Sequence, residues 1–144
     1  MDEHYKAKVC DFGLSKILDS GDNRTMTACG TPCWAAPEIL RNQKYTTKAD
    51  VFSFAIVMWE CFAREAPYAN MPPFQVVFAV GTQGLRPDVP VDCPSRAAEL
   101  MEMCWAESPD LRPAFEDLLM LLADMTGPPD WTKRKTRAPL PDVV

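Results

Sequence analysis

Histidine is nearly absent from this chain: His4 is the only one among 144 residues. The six cysteines (Cys10, Cys29, Cys33, Cys61, Cys93 and Cys104) include no Cys-x-x-Cys pair. A tetrahedral zinc site needs closely spaced thiolates or imidazoles, so the pattern argues against one. Long hydrophobic runs are missing too. The longest is broken by Ser53 and ends at Glu60, too short to span a bilayer, which argues against a membrane protein. The start, MDEHYKAK, is charged and leads into no apolar run of the kind a signal peptide carries. Reduced thiols in the cytoplasm are therefore expected. Basic charge is also in short supply. Fifteen Lys and Arg face 20 Asp and Glu, a net charge of −5 that argues against a general nucleic-acid binder.

What is present suffices for one globular domain at most. Hydrophobic residues make up 47% of the chain and charged residues 24%, which is incompatible with a wholly disordered polymer. Fourteen prolines mostly punctuate the apolar runs. Tyr5, Ala7 and Val9 alternate with Lys6 and Lys8, the period of a short, half-buried strand. From Leu14 to Gly30 the chain is polar, with Asp19, Ser20, Gly21, Asp22 and Asn23 together, and reads as a long exposed loop. Thr47 and Asp50 have capping-box spacing ahead of VFSFAIVMWECF, a run so apolar that a helix there is expected to be buried on every side. Ala97, Leu100, Met101 and Cys104 share one helical face. Phe115, Leu118, Leu119 and Leu122 share another, with Pro113 suited to the first turn and Gly127-Pro128-Pro129 as the stop. The expected fold is mainly α.

Several short motifs carry chemistry by their order. Asp11-Phe12-Gly13 follows the strand; Gly30-Thr31-Pro32-Cys33-Trp34-Ala35 precedes Ala36-Pro37-Glu38; Asp50 and Ser53 open the apolar helix; CWAESPDLRPAF runs from Cys104 to Phe115. A lone Asp-Phe-Gly is a weak signal, but together these motifs resemble the C-terminal, helical lobe of a eukaryotic protein kinase. The resemblance covers residues 2–125, from the Asp-Phe-Gly strand through a long activation loop to the last helix, and leaves 126–144 as a proline-rich, basic tail. It implies ATP and magnesium as cofactors and a protein as substrate.

The resemblance also assigns roles. Asp11 matches the aspartate that holds magnesium against the nucleotide phosphates, and a carboxylate is the ligand a hard cation wants. Phe12 would pack inward and Gly13 would let the backbone swing, while Cys10 would line the back of the nucleotide pocket, with small apolar packing as its simpler role. Glu38 resembles a glutamate paired with a buried arginine, for which Arg112 is the match. Asp50 resembles the aspartate that receives backbone amides of the catalytic loop. Trp59 and Trp105 are expected in the core.

Gly30, Thr31 and Trp34 would form the loop facing the substrate. Gly-Thr at that offset is similar to serine/threonine kinases, whereas Trp34 and the CW…RP…F ending are shared by tyrosine kinases and the tyrosine-kinase-like group. A tyrosine-kinase-like serine/threonine kinase is the implied class, with a tyrosine or dual-specificity kinase as the alternative. Ala55 stands where many relatives have glycine, a change a helix tolerates. Ser20, Thr25 and Thr27 are the candidate activation-loop phosphorylation sites, since a phosphate orders a loop where a cation awaits it.

The sequence contains no Gly-x-Gly-x-x-Gly loop, no Val-Ala-x-Lys strand and no His-Arg-Asp. These parts act as a unit in the family, so the 144-residue chain alone is expected to be inactive. Its central helix is expected to expose apolar surface that an N-terminal lobe or another protein would cover. A non-catalytic, kinase-derived binding module is the competing reading. Lys133, Arg134, Lys135 and Arg137 read as a solvated basic tail, with a nuclear-import patch as second choice.

Overall fold

The computed structural model describes residues 7–12, 15 and 32–126. Five helices follow one another: α1 (Pro37–Leu40), α2 (Lys48–Ala63), α3 (Pro73–Thr82), α4 (Ser95–Cys104) and α5 (Phe115–Thr126). Short 3-10 turns at Pro32–Trp34 and Pro109–Leu111 precede α1 and α5. Residues 7–10 carry no strand pairing among the described residues. A strand gains its hydrogen bonds only from a neighbour.

Proline opens several of these elements, because its fixed φ suits a first turn and its missing N–H loses no intrahelical bond there. Pro37 does so for α1, Pro73 for α3 and Pro109 for the second 3-10 turn. Pro113, by contrast, lies two residues ahead of α5. The Ala114 N–H there donates to the Asp117 carboxylate at 3.1 Å. At the other end of α3, Gly84 adopts φ 69°, and the chain turns back so that the Leu85 N–H reaches the Ala79 carbonyl at 3.1 Å. Glycine meets that left-handed geometry without a side-chain clash.

The core is built around α2, which packs against α4 and against the Pro32–Trp34 turn, while α1 packs against α3. Val51, Phe52, Ala55, Ile56 and Trp59 of α2 meet Leu100, Met101 and Cys104 of α4, with Leu118 of α5 and Val76 and Val80 of α3 completing the cluster. Ala97, Leu100, Met101 and Cys104 are all buried, the face read from their spacing. Ala55 is fully buried, a methyl accommodated in the helix core.

Three sequence expectations are corrected here. Helix α2 is not buried all round: Val57 is 46% exposed, and Phe62 and Cys61 are exposed as well. The packed elements cover one side, while the Phe115 ring meets Phe54 edge-on at 6.0 Å between centroids. The Thr47–Asp50 capping box is not formed. Thr47 is already helical (φ −56°, ψ −15°), whereas a capping threonine needs extended backbone, and Thr46 Oγ1 instead accepts the Lys48 N–H at 3.3 Å. On α5, Leu119 is 70% exposed. The inward stripe is Leu118, Leu122 and Met125, at i, i+4 and i+7.

Candidate functional site

The most elaborate polar structure centres on Arg112, which is 1% exposed. Its guanidinium uses every donor it has. Nη1 and Nη2 donate to the two carboxylate oxygens of Glu38 at 2.7 and 2.9 Å, a bidentate pair spanning 74 residues. Nη1 also reaches the Lys48 carbonyl at 3.0 Å, Nη2 the Glu107 carbonyl at 3.2 Å, and Nε the Ala106 carbonyl at 2.8 Å. The guanidinium stacks 5.2 Å from the centre of the Phe52 ring, and Lys48 Nζ returns a bond to the Arg112 carbonyl at 2.6 Å. Glu38 is 4% exposed, so α1, the start of α2 and the Pro109–Leu111 turn are tied through one desolvated ion pair.

Upstream of α1, Trp34 is held at both ends. Its indole Nε1–H donates to Glu60 Oε2 at 2.6 Å, and its carbonyl accepts from Ser53 Oγ at 2.8 Å. Burial raises the pKa of the neighbouring Cys33 thiol; a hydrogen bond to its own backbone opposes this, and the negative charge of Glu60 adds to it. That thiol stays protonated and poorly nucleophilic.

Cys10, Asp11 and Phe12 are all exposed, and Asp11 adopts a left-handed backbone (φ 63°). The inward packing expected of Phe12 and the apolar burial considered for Cys10 are thus not found among the described residues; packing needs an opposing surface, and none of them provides one. Asp50 lies exposed in the first turn of α2, where partial burial still pushes its carboxyl up. It accepts no hydrogen bond among the described residues. Trp105 is buried, as is Trp59, whose indole N–H donates to the Asp88 carbonyl at 2.7 Å. Gly13, Ser20, Thr25, Thr27, Gly30 and Thr31 lie outside the described residues, as does the tail beyond Thr126.

Two features escaped sequence reasoning. One is the Trp34–Glu60 bond. The other is a surface network in which Glu107 pairs with both Arg41 and Arg86, the latter at 2.9 Å. Burial raises the Glu107 carboxyl, but hydrogen bonds and charge from the two arginines outweigh it and hold the group below the usual range. Arg86 also lies 4.8 Å from the centre of the Phe52 ring, which Arg112 meets as well. No local spacing signals such partners, since each pair is brought together by helix packing.

Among the described residues, no group of three His, Cys, Asp or Glu is placed to hold a metal, and no helix is long and apolar enough to cross a membrane. The profile of the family described as protein tyrosine and serine/threonine kinase matches residues 1–122. The chain belongs to the protein kinase family. This kinase chain is 53% identical over 122 residues to "Probable serine/threonine-protein kinase drkB" of Dictyostelium discoideum, a match covering 85% of the chain and 17% of the relative. It is 55% identical over 119 residues to "Probable serine/threonine-protein kinase drkA" of the same organism, covering 83% of the chain and 18% of the relative. The drkC protein matches at 51% over 127 residues, covering 87% and 17%. The chain spans less than a fifth of the length of these curated relatives.

Proposed function

We propose that this chain is the activation segment and helical lobe of a serine/threonine protein kinase that transfers the ATP γ-phosphate to hydroxyls of a protein substrate. One observation carries the reading: the buried Glu38–Arg112 pair fastens Ala36-Pro37-Glu38 to the helical core, directly beside a turn at Pro32–Trp34 anchored to α2. A turn held from both sides can present a substrate hydroxyl in a fixed place, and positioning accounts for much of phosphoryl-transfer catalysis. The names of the relatives favour serine and threonine over tyrosine.

In this reading Gly30, Thr31 and Trp34 face the substrate. Asp11 would supply one ligand to magnesium. Its exposed carboxylate is a single hard oxygen donor, which suits a cation that takes one or two carboxylates and keeps waters and phosphate oxygens for the rest. Magnesium bound with ATP neutralises charge on the phosphates. The phosphate-covering loop, the phosphate-binding lysine and the catalytic base belong to other parts of a longer protein. Those parts would also cover the Phe54, Val57 and Cys61 stripe of α2. Thr25 or Thr27 would be the activating phosphorylation site, with Ser20 as the third candidate; alanine at all three leaving activity unchanged would remove that assignment.

The reading is tested in the full-length protein, supplied with labelled ATP, magnesium and a mixture of serine, threonine and tyrosine peptides. Label on serine or threonine, lost in Asp11→Asn, supports it. Label on tyrosine alone makes the protein a tyrosine kinase. No transfer under any condition favours the non-catalytic binding module, for which the exposed Phe74 and Phe78 of α3 offer apolar surface.

A further inference from the structure

Helix α2 presents two polar side chains to one residue of the loop. Ser53 and Glu60 lie seven positions apart, two turns along the same face of the helix. Between them they hold the carbonyl and the indole of Trp34. Ser53 has a single hydroxyl proton, and the Trp34 carbonyl at 2.8 Å is a nearer acceptor than the Ala49 carbonyl at 3.2 Å. The Glu60 contact is shorter still and charge-assisted, the stronger kind of hydrogen bond. Glu60 is only partly exposed, in the middle of a sequence that is otherwise apolar from Ile56 to Phe62. A carboxylate is costly to hold there unless a donor meets it.

The consequence is an anchor independent of the Glu38–Arg112 pair. Downstream, Ala36 and Pro37 are buried and Glu38 is fastened to Arg112. Upstream, the Pro32–Trp34 turn closes with an Ala35 N–H to Pro32 carbonyl bond at 3.2 Å, and nothing but Trp34 ties it to α2 through side-chain hydrogen bonds among the described residues. The turn also packs against α3, and Trp34 supplies its hydrogen-bonded hold on α2. We propose that Glu60 is a positioning residue for the protein substrate: through the Trp34 indole it fixes the loop on which the substrate lies. This rests on the kinase reading above. Glu60 acts by accepting one N–H, so its acceptor oxygen forms the anchor and its negative charge strengthens that bond without meeting the substrate.

That distinction makes the test. In the full-length protein, peptide phosphorylation at saturating ATP is measured for Glu60→Gln, Glu60→Leu, Trp34→Phe and the Glu60→Leu/Trp34→Phe double variant. Losing one charge-assisted hydrogen bond should raise the peptide KM of Glu60→Leu about tenfold. The values of kcat and the ATP KM should stay unchanged. Glu60→Gln keeps a carbonyl acceptor but not the charge, so its peptide KM should rise clearly less than that of Glu60→Leu. Trp34→Phe, which also changes a side chain placed at the substrate, should raise the peptide KM at least as much as Glu60→Leu, and the double variant should be no worse than Trp34→Phe. An unchanged peptide KM in Glu60→Leu overturns the proposal. So does Glu60→Gln being as damaging as Glu60→Leu, because the acceptor oxygen that both Glu and Gln carry would then contribute nothing. Hydrogen exchange over residues 32–38 reads the anchor without activity: faster exchange in Glu60→Leu than in Glu60→Gln is expected, and equal exchange in both refutes it. A protein that transfers no phosphate would sink the kinase reading, while the exchange result would still decide the anchor.

Discussion

Replacing Arg112 with methionine keeps much of the side-chain volume but removes all five N–H donors at once. The Glu38 carboxylate, 4% exposed, would lose both of its hydrogen bonds and its counter-charge. Removing one partner of a buried ion pair costs about 3–5 kcal/mol, because the remaining charge is left desolvated. Domains are stable by only about 5–15 kcal/mol, so this loss takes from about a fifth of that stability to all of it. Arg96 provides the control. It also pairs with a carboxylate, Asp124 at 2.6 Å, but both side chains are well exposed, and such surface pairs contribute about 0–1 kcal/mol. Urea unfolding followed by tryptophan fluorescence should show Arg112→Met with a much lower midpoint and Arg96→Met near the unmodified chain. The Glu38→Leu/Arg112→Met double variant should recover part of the loss, since it leaves no bare buried charge. Coincident midpoints for Arg112→Met and Arg96→Met would refute the assignment of the pair as the main polar tie of the lobe.

Three further outcomes are expected. The 144-residue chain alone should transfer no phosphate to any protein, because it contains no glycine-rich loop, phosphate-binding lysine or His-Arg-Asp; transfer that Asp11→Asn abolishes would contradict this. Alkylation at pH about 8, mapped by mass spectrometry, should modify exposed Cys10 and Cys61 first and Cys104 last, since burial pushes the Cys104 thiol up to about 11; early labelling of Cys104 in the folded chain would mean that α2 and α4 separate readily. Glu107 has a folded pKa below its usual 4.5, so its stabilising contribution is present above that value and is lost as pH falls through the depressed one. Acid unfolding of Glu107→Gln and of the unmodified chain should therefore differ near neutrality and converge at the most acidic pH; a constant offset across the range would place the effect elsewhere.

The order of the motifs was legible in the linear chain: Asp-Phe-Gly, then Ala-Pro-Glu, then the apolar helix, then the arginine-bearing segment before the last helix. So was the face of α4, because side chains at i, i+3, i+4 and i+7 share a side of any helix whatever it packs against. The matching of Glu38 with Arg112 was available only through the family resemblance, since no periodicity links residues 74 apart. Where the reading failed, the deciding quantity was not local. Apolar composition alone made α2 look buried on every side, but burial is set by which elements surround it, and these leave Val57 and Phe62 outside. Leu119 has the hydrophobicity and spacing for the core, yet the rotation of α5 against α2 turns Leu118, Leu122 and Met125 inward instead. Glu60 carried no signal at all in an apolar run. Its meaning depends on α2 passing beside the Pro32–Trp34 turn, a matter of helix packing rather than of the residues on either side. Sequence by itself determined the family, the buried face of α4 and the chemistry on offer. The tertiary structure alone decided which of those polar groups meet, because hydrogen bonds a few ångströms long depend on how distant segments cross.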